Sequence, residues 1–192
     1  MRATVVLVVI SLLLLVGCEE KAQQVGGEAE EYAVYSALIN QEYAGPDIER
    51  IVIRDHTGVS AHPSLQEELA RVSKQMRDGP DSAMVADFST KNAQEHPLTN
   101  SFQAKVPCVL ISQQELEAIF RGRGGWDEFY KWYPKSQGEM TLSRVGFNAK
   151  RDRALVYVGN QSHWLAGAGY YALLEKENGV WRVRDKVLVW VS

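Results

Sequence analysis

Four strand-like runs in the last third of this chain constrain its fold more than any other feature. They are Glu139 to Phe147, Ala154 to Gly159, Gly169 to Glu175 and Val180 to Val191. Each is rich in β-branched or aromatic residues, and turn sequences lie between them. Asn148 to Arg153 makes the first turn and the longer Asn160 to Ala168 the second. The third, Lys176 to Gly179, holds Asn178-Gly179, the strongest short hairpin signal in the chain. An antiparallel meander is expected.

The first two thirds read mainly as helix. Tyr32, Tyr35, Leu38, Ile39 and Tyr43 recur at helical spacing, and Gly45-Pro46 follows as a stop. Ser64 stands three residues before Glu67, and Ser112 three before Glu115; both spacings signal a capping box. They predict helices opening at Leu65 and just after Ser112. A third helix is expected from Asp81 or Ser82 toward Asn92, and a short aromatic one over Trp126 to Tyr133. Ile48 to Arg54 and Val106 to Ile111 read as strands. Helices first and a meander last argue for α+β, with N-terminal helices packed on a C-terminal antiparallel sheet.

The other end of the chain has a different character. Arg2 is followed by an apolar run, Val5 to Val16, broken only by Ser11. That is the layout of a secretory signal, and the run is shorter than the roughly 20 residues a membrane span needs. Leu15-Val16-Gly17-Cys18 resembles the lipobox of bacterial lipoprotein precursors. The resemblance implies a signal peptide over 1–17 and a lipidated Cys18 as the first mature residue. It also implies attachment to the membrane of the cell envelope through that lipid. Glu19 after the cysteine leans toward the outer membrane in a Gram-negative cell.

Cleavage before Cys18 leaves 175 residues, enough for one domain with a sizeable core. The expected organisation is a polar tether over 18–30 and a single α+β domain over 31–192. Without Arg2, 20 basic side chains face 24 acidic ones, so nothing favours a nucleic-acid partner. Lipidation of Cys18 would leave Cys108 without a disulfide partner. Its apolar flanks predict a buried, inert thiol.

Catalytic patterns are sparse. There is no Gly-x-Ser-x-Gly elbow, and the glycines from Gly167 to Gly169 open a strand rather than a helix, unlike a dinucleotide loop. No metal ligand set, cofactor site or catalytic residue is expected. The groups available to an envelope hydrolase are Asp55, His56, His62 and His163, and that is the alternative reading.

Gly138 to Ser192 resembles an uncharacterised bacterial domain family. The likeness rests on Ser143-Arg144-Val145-Gly146-Phe147-Asn148, Ala154 to Asn160, Gly167-x-Gly169-Tyr170-Tyr171 and Asn178-Gly179-x-Trp181. More loosely, a leading helix with a curved meander is similar to the cystatin/NTF2-like group. No activity comes with either likeness. The leading expectation is therefore a non-enzymatic binding domain for an envelope protein, a peptide or a glycan. Its expected ligand-binding face is the Asn160 to Gly169 loop with the neighbouring sheet edge. Arg144, Asn148 and Asn160 would supply polar contacts there, and His163 and Trp164 recognition. Gly167 and Gly169 would allow close backbone approach.

Overall fold

The computed structural model describes residues 27–59 and 64–192. Residues 1–17, expected to form a signal peptide, together with Cys18 and His62, lie outside the described residues. Helix α1 covers 27–42, so residues 27–30, expected in the tether, are helical. Its inward stripe, Val34, Tyr35, Leu38 and Ile39, is fully buried. At about 1.5–3 kcal/mol per buried large side chain, that stripe is enough to fix the helix on the sheet.

Strand β1 is Arg50–Arg54, followed by α2 (Leu65–Gln75) and α3 (Ser82–Lys91). Then come β2 (Cys108–Ile111), α4 (Gln113–Phe120) and α5 (Gly125–Trp132). The remaining strands are β3 (Ser136–Leu142), β4 (Gly146–Phe147), β5 (Arg153–His163), β6 (Ala166–Glu177) and β7 (Val180–Val191). The class is α+β, as expected. Caps stand where the spacing puts them. Ser64 Oγ accepts from Glu67 N, Asp81 Oδ1 from Met84 N, and Ser112 with Glu115 completes a capping box.

All seven strands form one sheet in the order β2-β1-β3-β5-β6-β7, with β4 alongside β5. The antiparallel meander accounts for only part of it. β1 pairs in parallel with both β2 and β3, so the sheet is mixed and the helices do not simply cover a C-terminal meander. The register of β1 on β3 shifts between Arg50 and Val52. Gln137 fills the gap: its amide accepts from Val52 N at 3.1 Å and donates to Val52 O at 3.0 Å.

The loop expected from Asn160 to Ala168 is a tight hairpin instead. β5 runs to His163 and β6 starts at Ala166, leaving Trp164 and Leu165 at the tip. Ser162 Oγ donates to Ala166 O at 2.9 Å across it.

One face of the sheet packs on α1 and the 98–106 segment. The other carries two separate helix pairs. α2 and α3 cover Leu155, Tyr157, Tyr171, Leu173 and Val187, while α4 and α5 cover Val52 and Ile111. α1 starts at the end of the sheet holding the β6–β7 turn, where Glu30 pairs with Lys176 and Arg151. The β5–β6 tip stands at the opposite end.

Candidate functional site

Between the two helix pairs no described helix covers the sheet. On β3 the side chains of Met140 and Leu142 turn toward α1, so Glu139 and Thr141 turn the other way. Such positions in a strand covered on both sides are ordinarily apolar. Here they face a groove of about 720 Å³. Its floor continues with Arg54, Tyr157, Gly159, Gln161 and Trp190, and its rim includes Asp55 to Val59, Glu95 and Gln113.

The floor is held by its own polar contacts. Arg54 Nε donates to the largely buried Glu139 carboxylate, and Arg54 Nη1 to Gln113 Oε1 at 3.1 Å. Thr141 Oγ1 adds a long contact to Glu139 at 3.5 Å. On the rim, His56 Nδ1 lies 2.9 Å from Asp55 Oδ1. Gly58 N donates to Leu142 O at 2.9 Å, which ties that rim segment to the end of β3.

Trp190 and Tyr157 form the far side. Trp190 Nε1 donates to the Tyr157 hydroxyl at 2.7 Å. Burial raises the Tyr157 pKa, with further upward pushes from Glu68 and Glu139, against the Trp190 hydrogen bond. Tyr157 is therefore a neutral phenol at ordinary pH. The indole lies across Gly159, Gly167 and Gly169. A Cβ at Gly169 would stand 2.0 Å from Trp190 Nε1, one at Gly167 3.1 Å from Cζ3, and one at Gly159 3.3 Å from Cζ2.

No family model, curated protein or solved structure matches this chain. The site is therefore read from its own residues.

The residues singled out in the sequence fall into separate places. Arg144 is committed to the fold: Nε and Nη2 each donate to Glu31 at 2.8 Å. Asn148 closes the β4–β5 turn, its Oδ1 accepting from Asp152 N and Arg153 N. Asn160 ties β5 to β3 by donating to Gln137 O at 3.0 Å, and of the residues expected to bind ligand it is the one that lines the groove. His163 and Trp164 sit at the hairpin tip, at the other end of β5 from Arg144 and Asn148. Trp164 is 58% exposed and packs edge-on against Phe120, its ring close above Gly125. At Gly167 and Gly169, expected to allow close approach of a ligand or another backbone, the chain's own Trp190 side chain lies against the strand.

The hydrolase set is also split. Asp55 and His56 share the groove rim, whereas His163 is at the tip and His62 lies outside the described residues. Among the described residues His56 makes no hydrogen bond to a hydroxyl or thiol. Cys108 belongs to the core on the α1 face, and burial pushes its thiol up to about 11.

Sequence reasoning missed Arg54, Gln113, Glu139, Thr141, Tyr157, Gln161 and Trp190. One signal was present: Gln137, Glu139 and Thr141 alternate with Met140 and Leu142 in a strand that needs two apolar faces.

Proposed function

We propose that this chain is an exported, lipid-anchored binding domain whose ligand seats in the groove between the two helix pairs. The observation that carries this reading is the polar floor: Arg54, Glu139 and Thr141 stand on a rigid central sheet where core side chains would otherwise be. Groups placed on strands are held more precisely than groups on loops. The volume also falls within the roughly 300–1,000 Å³ of small-molecule sites. Arg2, the apolar run and Leu15-Val16-Gly17-Cys18 support export, lipid attachment and a working place in the cell envelope. The Asp55–His56 pair has the geometry of an oriented base, yet it lacks a described nucleophile. Binding is thus the better-supported reading.

Two experiments bear on it. Cys18→Ala should abolish incorporation of labelled palmitate and move the chain to the soluble fraction; continued labelling would overturn Cys18 as the lipidated residue. For the groove, a ligand retained by the detergent-solubilised full chain should bind Glu139→Gln at least about tenfold more weakly. It should bind Trp164→Ala unchanged. The opposite pattern would move the site to the hairpin tip.

A further inference from the structure

Resting on the groove reading, we propose that the ligand is a neutral sugar, with one pyranose ring stacked on the indole of Trp190. The seat of that indole is built into two strands. Gly159 of β5 pairs with Gly169 of β6, and Gly167 lies two residues along β6 on the same face. A side chain at any of the three would meet the ring. The indole therefore lies against strand backbone, in contact through its pyrrole and benzo portions. Trp190 stays partly exposed and lines the groove, so its other face is offered there.

The ring is also fixed in rotation by its bond to the Tyr157 hydroxyl. A platform already held in place loses little freedom when a ligand stacks on it. That bond uses the Tyr157 oxygen as acceptor. The phenol proton donates to no described atom, so it remains for a ligand oxygen.

A pyranose has the matching surface. One face presents C–H groups, and its rim carries hydroxyls that each donate and accept. The groove that Trp190 lines also holds Gln161 and Gln113, which do both, Arg54, which donates, and Glu139 and Asp55, which accept. Sugar hydroxyls can both donate to and accept from such groups while these keep their contacts with one another.

Charge narrows the class further. Arg54 is set against Asp55, Glu95 and Glu139, so the groove has an acidic balance. Uronates and phosphorylated sugars would meet like charge in a partly enclosed space. Neutral hexose or N-acylated amino-sugar units avoid that penalty.

The test uses the full chain in detergent micelles, followed by the five tryptophan indole N–H resonances. The probes are cellotetraose, chitotetraose, a hyaluronate tetrasaccharide and tetra-alanine. At least one neutral tetrasaccharide should move the Trp190 indole resonance, and hyaluronate should bind at least about tenfold more weakly. Trp190→Ala should weaken the neutral sugar by about tenfold or more, as expected for a buried aromatic anchor. Because that variant also removes a packed ring, Gln161→Ala serves as a second probe. It should weaken binding with an unchanged thermal midpoint. If tetra-alanine or hyaluronate moves groove resonances and neither neutral sugar does up to ~10 mM, the sugar assignment falls and the groove reading stands. If no probe moves a groove resonance, both fall. Equal binding of hyaluronate and neutral sugar would overturn the charge argument.

Discussion

Glu31 and Cys108 show how single buried residues fix this molecule. Glu31 is almost fully buried, yet it accepts from both Arg144 nitrogens and from Val145 N at 3.1 Å, with Lys91 3.5 Å away. Burying a carboxylate is costly unless its oxygens are answered in this way. Arg144, conspicuous in the sequence as an arginine amid apolar residues, is the partner of a residue 113 positions away, which no local pattern reveals.

Cys108 is simpler, and its burial could be read from Val106 to Ile111. Its folded pKa, about 11, exceeds its ordinary value of 9.0 because burial disfavours the thiolate. The unfolded chain therefore loses this proton first. The contribution to stability is full below about pH 9 and is lost as the pH rises toward 11. The total is of order 2 kcal/mol. Urea unfolding at pH 8 and pH 10.5 should show the native chain losing about that much more stability than Cys108→Ala. Equal losses would mean that the thiol is accessible.

At the scale of elements, local chemistry and long-range packing divide the work unequally. Caps and hairpin turns are local. Ser112 with Glu115 marked α4, and Asn178-Gly179 marked the β6–β7 turn, where both residues have positive φ. The β5–β6 hairpin was hidden because Gln161-Ser162-His163-Trp164 looks like a polar loop. It closes through contacts made far along the chain, Trp164 on Phe120 and Trp190 on the glycines. The parallel pairing of β1 with β2 joins Ile51 to Cys108, and nothing in either strand names the other.

Gly138 is the sharpest constraint among the strands. It has φ +104°, and a Cβ there would lie 2.2 Å from Gln161 O. Gly138→Ala should therefore both strain the backbone and push β5 off β3. A loss of at least about 2 kcal/mol in chemical denaturation is expected. A loss below about 0.5 kcal/mol would show that the strand can shift freely.

For the whole molecule, class and element types were largely legible, whereas the site was not. The groove gathers β1, β3, β5, β7 and the start of α4, and exists because two helix pairs leave a gap. The sequence shows the apolar stripes of those helices but not the space between them.

Given a lipid on Cys18, the opposed positions of the α1 start and the Trp164-Leu165 tip predict which way up the domain would stand. Residues 18–26 have a contour of at most about 32 Å. The twelve residues of β6 alone extend about 40 Å away from that end. A spin label at position 178 should then be relaxed strongly by lipid-borne nickel chelate, and one at position 165 weakly. Equal relaxation would mean that the domain lies on its side. Upright, it works as a spacer. The most exposed large hydrophobic side chain among the described residues, Leu165 at 85%, would then face the aqueous side, away from the anchored end.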